Sequence, residues 1–312
     1  MVRKILFVIL LLPISTNYAT EKILIITHQY NRPDFIEIQH KTFKKFLSDD
    51  YEYVVFNDAH TQGMADSIEG TCNTLNIRCI RIPQDIHTRP YLPRQPEDPL
   101  QGTNARHANC VQYSMDHLGF EHDGIVFIID SDMFLIRPFS IATYMHNTDI
   151  ATHFKREYLR SNNVQYICPA ICFLHMNKLP DKKSLNFNCG KIGELAVDSG
   201  GWTWFYLNQH PQLQLKHINI TWSFQVFCPH NIVGKKINTD YSDQEKTIFL
   251  QEQGFSSQEI NFFLKKPDTF ELFLDNHFLH YRAGTNYNNL SQKYHHNKMK
   301  IFNEFLDDIL HN

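Results

Sequence analysis

From Lys22 onward, short apolar runs alternate with amphipathic stretches. Lys22–Thr27 (Lys-Ile-Leu-Ile-Ile-Thr) has the continuous apolar character of a short buried strand. Asp34–Leu47 follows with Phe35, Ile38, Phe43, Phe46 and Leu47 at helical spacing. Tyr51–Phe56 and Ile77–Ile82 read as the second and third strands, and Thr103–Leu118 as a helix. Between the last two, Pro83–Gln101 holds five prolines and reads as a loop. Gly124–Asp130 (Gly-Ile-Val-Phe-Ile-Ile-Asp) is the strongest strand pattern in the chain. Farther on, Asp149–Phe154, Gln165–Leu174 and Phe270–Tyr281 read as strands, Trp202–Asn208 as a helix start and Ser291–Leu310 as a terminal helix. Strands alternating with helices predict an α/β fold with a mostly parallel central sheet and helices on both faces. No repeat or linker divides residues 21–312, which predicts one domain there.

The N-terminus departs from this pattern. Arg3 and Lys4 precede an apolar run, Ile5–Ile14, and the small residue Ala19 follows, the layout of a secretory signal peptide over residues 1–20. Ten helical residues reach only ~15 Å, half of a ~30 Å bilayer core, so a cleaved signal is favoured over a short membrane anchor. The expected localisation is the secretory pathway or the exterior, with membrane association only through this segment. Asn219-Ile-Thr221 and Asn289-Leu-Ser291 are glycosylation acceptor patterns in that setting. Among seven cysteines, Cys72 and Cys79 can close a small loop, while Cys168 and Cys172, four apart in a strand, sit too far apart to bridge.

Composition then removes several functions. The net charge of −3 over 312 residues argues against a chain held to nucleic acid by phosphate neutralisation. Only 12 glycines occur, and neither a Gly-x-Gly-x-x-Gly fingerprint after a strand nor a P-loop is present. Phosphate binding would therefore fall to a metal or to cationic side chains. The 18 histidines keep the metal route open.

The apolar run of Gly124–Ile129 ends abruptly in Asp130-Ser131-Asp132. In open α/β sheets ligands bind beyond the carboxyl ends of strands. Two carboxylates at this spacing can share one Mn2+ or Mg2+, and such an ion neutralises a diphosphate. A buried strand ending in Asp-x-Asp within an alternating α/β half resembles the GT-A nucleotide-sugar glycosyltransferases, and the likeness in layout covers most of residues 21–290. The resemblance implies the GT-A fold and a transferase of hexosyltransferase type. It implies a nucleotide-sugar donor, UDP-sugars included, and a glycan, protein or lipid acceptor. It also implies roles for particular positions. Thr27 and His28 end the first strand, where the nucleoside is met. Asn57 and Asp58 end the second and can bond a base or ribose edge. Arg106 and His107 open the helix before the Asp-x-Asp strand, with Arg106 as a cation near the donor. His280, ahead of the polar loop Arg282–Asn286, completes the metal set with Asp130 and Asp132, and His277 is the fallback. The chain lacks the Lys-Pro-Trp that glycogenin-like members carry after the late histidine and has Asn286-Tyr287-Asn288 instead, which leaves Arg282 or Lys293 as substitutes.

Asp198, in Asp198-Ser199-Gly200-Gly201-Trp202, is the candidate catalytic residue. In an inverting enzyme it is the base that deprotonates the acceptor hydroxyl; in a retaining one it orients the donor sugar. The two glycines would let the backbone approach a sugar, on whose face Trp202 or Trp204 would stack. A helix cap at Asp198 or Ser199 is the bland alternative. Two rivals remain from the residues alone: a haloacid-dehalogenase-type phosphatase with Asp130 as nucleophile, and a non-catalytic secreted sugar-binding protein.

Overall fold

A computed structural model of the chain describes residues 22–87, 102–159, 162–221, 243–252, 254–265, 271–274, 276–281 and 292–311. The N-terminal segment 1–20, most of the proline-rich loop, the loop 282–286 and Asn289 lie outside the described residues. Among the described residues no helix is long and apolar enough to cross a membrane.

The first half runs β1 (Ile23–Gln29), α1 (Pro33–Phe46), β2 (Tyr51–Asn57), α2 (Gln62–Leu75), β3 (Arg78–Arg81), α3 (Gly102–His117) and β4 (Ile125–Ile129). Every residue of β4 is buried, so its uninterrupted apolar content reflects packing on both faces. Helix α1 starts with proline in its first turn and Asp34 beside it, and ends with Lys44 and Lys45, complementing the helix dipole at both ends. Helix α2 was not evident from the sequence. It buries only Ala65, Ile68 and Cys72 and carries Gly63 and Gly70, so its apolar stripe is narrow. It starts where the Thr61 side chain accepts from the Met64 amide and stops at Asn76 in the left-handed conformation (φ 55°).

The second half adds β5 (Met133–Leu135), α4 (Ile141–Met145), β6 (Ile150–Leu159), β7 (Asn162–His175), β8 (Gly190–Ile192), β9 (Leu195–Val197), α5 (Thr203–Gln209), β10 (Leu215–His217) and β11 (Ile220–Thr221). It ends with α6 (Asp243–Glu252), α7 (Ser257–Lys265), β12 (Glu271–Phe273), β13 (Phe278–His280) and α8 (Gln292–His311). The expected single strand over 270–281 is instead a hairpin. It turns at Leu274 and Asn276, both at positive φ (54° and 67°), a conformation that Asn tolerates well.

The central sheet has the order β10-β6-β7-β4-β1-β2-β3. Its pairings are parallel except those made by β7, so β7 alone runs against the rest. The fold is thus α/β with a mostly parallel sheet. Helices cover both faces: α1 and α2 pack on the face carrying Ile25, Val55 and Phe127, and α3 and α5 on the face carrying Ile26, Val54 and Ile128.

A second sheet, β11-β12-β13-β5, is antiparallel where it pairs. Its importance is positional. Strand β5 begins one residue after Asp132, and His280 on β13 pairs in register with Met133. The Tyr281 amide donates to the Asp132 carbonyl at 2.7 Å. Behind this sheet Phe134, Leu279 and Tyr281 pack with Phe35 of α1 and with Phe302, Phe305 and Leu306 of α8. The C-terminal helix therefore helps hold a histidine from the end of the chain against an aspartate from its middle.

Candidate active site

Asp130 and Asp132 occupy a turn at the carboxyl end of β4, closed by the Met133 amide donating to the Asp130 carbonyl at 3.1 Å. The turn is clamped from behind. The Gln39 side-chain amide, buried on α1, donates to the carbonyls of Asp130 (2.9 Å) and Met133 (2.8 Å), and the Tyr53 hydroxyl donates to the Gln39 Oε1 at 2.7 Å. This bracing amide on an otherwise apolar helix face escaped the sequence reading. Its signal was a glutamine among Phe35, Ile36, Thr42 and Phe43 on the buried stripe.

Asp130, Asp132 and His280 each present a ligand atom, all within 4.8 Å of one another. His280 Nε2 lies 3.2 Å from Asp132 Oδ1, and its Nδ1 lies 2.8 Å from Glu271 Oε2. Burial opposes protonation of this imidazole. Asp132 and Glu271 on either side outweigh it and raise the pKa of His280 to about 10. Glu271 is a second residue that sequence reasoning missed. It is a buried carboxylate opening an apolar strand, across the β12–β13 pairing from His280. A carboxylate on the far ring nitrogen fixes which nitrogen faces a metal. Two carboxylates and one imidazole are a donor set that would suit Mn2+ and is compatible with Mg2+. His277, the fallback ligand, instead bonds the Leu274 carbonyl through Nδ1 in its own turn and stacks near Phe139.

A polar chain leads away from the carboxylates. His107 Nε2 lies 3.2 Å from Asp130 Oδ1, and its Nδ1 lies 3.2 Å from Ser199 Oγ. Burial lowers the pKa of His107, and Asp130 more than reverses this. Asp198 Oδ1 accepts from the Ser199 amide at 2.7 Å, and its other oxygen pairs with Lys155 Nζ. Burial pushes the Asp198 carboxyl up, but Lys155 outweighs it and holds the carboxyl below its usual range. The cap expected at Asp198 or Ser199 is not formed: α5 begins at Thr203 with Trp202 ahead of it. Nor do the glycines face a sugar. A Cβ at Gly200 (φ 85°) would lie 2.0 Å from the Ile167 carbonyl, and one at Gly201 would lie 2.2 Å from Val197 Cγ2, so both are needed for packing. Trp202 and Trp204 are partly buried against Val164, Tyr166, Ile192 and Val197.

On the other side of His107, the His28 ring is 6.2 Å away and bonds Ser114 Oγ through Nε2 at 2.9 Å. Burial, reinforced by His107, pushes His28 down to about 3, so it stays neutral. Thr27 is fully buried between Val55 and Ile129 of the flanking strands. The Asn57 amide is engaged in the loop after β2, donating to the Ala65 carbonyl (2.9 Å) and accepting from the Ala59 amide (3.1 Å). Both residues are framework in this conformation. Arg106 is not a lone cation. It grips the Asp58 carboxylate with two bonds, Nε–Oδ2 at 2.6 Å and Nη2–Oδ1 at 2.9 Å, and donates to the Asp58 carbonyl and to Gln84 Oε1, each at 2.8 Å. His87 Nε2 stands on the same Asp58 oxygen at 2.8 Å. Asp58, His87 and Cys110 also bring ligand atoms within 4.8 Å of one another, but the guanidinium already compensates that carboxylate.

Cys72 and Cys79 are free thiols, as are Cys110, Cys168, Cys172 and Cys189 among the described residues, so the small loop that the first pair could close is not closed here.

No protein-family profile and no curated protein sequence matches this chain. Solved structures do resemble it. One is a mannosyltransferase from Pyrobaculum calidifontis in complex with GDP-Man and Mn2+, at 12% identity, covering 64% of this chain and 55% of that one, TM-score 0.40. Core-mannan synthase A from Aspergillus fumigatus, in its Mn/GDP form, is 9% identical, covering 55% and 64%, TM-score 0.36. Glucosyl-3-phosphoglycerate synthase from Mycobacterium tuberculosis is 13% identical, covering 64% and 70%, TM-score 0.37. The aligned part thus spans less than two thirds of the length of the first two.

Proposed function

We propose that the protein is a divalent-metal-dependent glycosyltransferase of hexosyltransferase type. It would move a sugar from a nucleotide-diphosphate sugar, such as a UDP-sugar, to a hydroxyl of a glycan, protein or lipid acceptor. The observation that carries this reading is the meeting of Asp130, Asp132 and His280 at the carboxyl edge of the central sheet. These three residues hold Mn2+ or Mg2+, with Glu271 fixing the His280 ring. The bound ion supplies charge neutralisation for the leaving diphosphate. His107, whose pKa Asp130 raises, stands beside the same charge. His28 stays neutral and bounds the donor side of the cleft. Arg106 positions Asp58, Gln84 and the ring of Tyr30, over which its guanidinium lies at 4.8 Å, as a wall for the nucleoside.

Asp198 takes the orienting role and not that of the base. A carboxylate paired with Lys155 and held below its usual range accepts a proton less readily at neutral pH. The paired Lys155–Asp198 unit would hold the hydroxyls of the transferred sugar. With residues 1–20 read as an export signal or short anchor, the enzyme acts in the secretory pathway, in a compartment supplied with nucleotide sugars.

The test is a screen of sugar nucleotides for hydrolysis and transfer with Mn2+, with EDTA, and with Asp132→Asn. The reading expects activity that both treatments abolish. Donor turnover unchanged by both would sink it, and metal-dependent hydrolysis of p-nitrophenyl phosphate without sugar transfer would favour the phosphatase.

A further inference from the structure

A cavity of about 420 Å³ opens beside this centre, lined by His153, Phe154, Lys155, Arg156 and His217. Its position follows from the sheet. Strand β6 runs parallel to β10 and in the same direction as β4, so the carboxyl end of β10 points to the edge where Asp130 stands. The pairing of β6 with β7 slips between Thr152 and Phe154, a bulge that displaces His153 from the ladder. Bulges of this kind re-aim side chains next to active sites. His153 connects to the metal centre through one ring: Phe273 lies 6.4 Å from His153 and 5.9 Å from His280. Lys155 connects it to Asp198.

The chemistry of the lining is one-sided. Among the described residues it carries no carboxylate. The charge of Lys155 is met by Asp198, whereas exposed Arg156 donates Nε to the neutral Gln165 amide at 3.2 Å. The Phe154 amide donates to His217 Nδ1 at 3.3 Å, which places the His217 hydrogen on Nε2 as a free donor. His153 Nδ1 donates to the Ile218 carbonyl at 3.3 Å, which leaves its Nε2 as an acceptor in the neutral ring. Burial lowers the pKa of both imidazoles; at His153 the Ile218 carbonyl and Glu271 oppose this while His217 and Lys155 add to it, and at His217 Arg156 adds to it. The Arg156 guanidinium and the His217 Nε2–H as donors, with His153 Nε2 as an acceptor and Phe154 as an apolar wall, match a hydrogen-phosphate group, which accepts from the first two and donates its P–O–H to the third, better than a carboxylate, which has no hydrogen to donate.

We infer that this cavity is a subsite for a phosphate group carried by the acceptor. The acceptor role rests on the transferase reading, while the phosphate site itself does not.

The test follows the imidazole resonances of the full chain by NMR, with Mg2+ present, during titration with inorganic phosphate and with glycerol phosphate. Both should shift His153 and His217 saturably. Glycerol phosphate should bind more tightly, because its carbon chain also meets the Phe154 wall. Arg156→Gln, an exposed change outside the core, should weaken both roughly tenfold. UDP with Mg2+ should leave the phosphate-bound resonances in place. Absence of saturable shifts, equal affinity in Arg156→Gln, displacement by acetate, or displacement by UDP would each overturn the inference. If UDP does not bind while the phosphate shifts persist, the transferase reading fails and the site stands. If UDP binds and phosphate does not, the site alone fails.

Discussion

Two clusters at the same edge of the sheet bring aspartate and histidine together, and they are built to opposite ends. Around Asp58, a guanidinium and an imidazole meet one carboxylate, and the charges are matched within the protein. Around Asp132, the carboxylates of Asp130, Asp132 and Glu271 meet the imidazoles of His107 and His280. The first cluster is complete as it stands. The second brings a ligand atom from each of two carboxylates and an imidazole within 4.8 Å of one another, a donor set that a dication would take. Proximity of ligand-type residues is therefore a weak criterion for a metal site, and a carboxylate already gripped by a guanidinium, as Asp58 is, argues against one.

The sharpest way to break this contrast is to remove one carboxylate from each cluster. Asp132→Asn should lower transferase activity at least ~10²-fold by removing a ligand of the ion that offsets the leaving-group charge. Steady-state assays across Mn2+ concentrations would show it. Asp58→Asn should leave Mn2+ affinity unchanged and cost roughly 3 kcal/mol of stability, because it strands Arg106 in a half-buried site. Denaturant melts would detect this, and intact stability would show that the pair is not structural.

The next effect is smaller. Glu271→Gln should weaken Mn2+ binding by about 10- to 100-fold while the protein remains folded, since the His280 ring loses its anionic partner. Calorimetry with Mn2+ reads it directly. The smallest effect is the acid response of the Asp58 cluster. Burial raises the pKa of this carboxyl, but His87 and Arg106 bring it below the usual value of 3.8. A folded-state value below the unfolded one means that its contribution is present above about pH 4 and fades as pH falls through the folded value. Wild type and Asp58→Asn should therefore converge in stability toward low pH, which parallel urea melts at neutral and acid pH would check.

The legibility of the fold follows the same physics. Strands β1, β2 and β4 were readable because burial on both faces writes an apolar run into each, Ile23–Ile26, Tyr53–Phe56 and Ile125–Ile129. Helix α2 was not, because a stripe of Ala65, Ile68 and Cys72 gives little periodic contrast. The hairpin β12–β13 merged into one strand because Leu274 is apolar yet sits at a turn, held there by its amide bonding the Asn219 carbonyl at 3.0 Å. In the site, Asp130 and Asp132 stood out at the end of an apolar run, and His280 stood out through the resemblance. Gln39 and Glu271 did not, since a polar residue in an apolar stretch names no partner until register and helix packing supply one. Arg106 was visible as a cation, but its partner Asp58 lies 48 positions away, and only the folded chain shows the pairing.

The central claim is that Asp130, Asp132 and His280 form a divalent-metal site. It is tested most directly by Mn2+ binding, followed by electron paramagnetic resonance, in wild type, Asp132→Asn and Asp58→Asn. One bound Mn2+ per chain is expected in wild type and in Asp58→Asn, with loss of that signal in Asp132→Asn. Retention of the signal in Asp132→Asn, with its loss in Asp58→Asn, would contradict it.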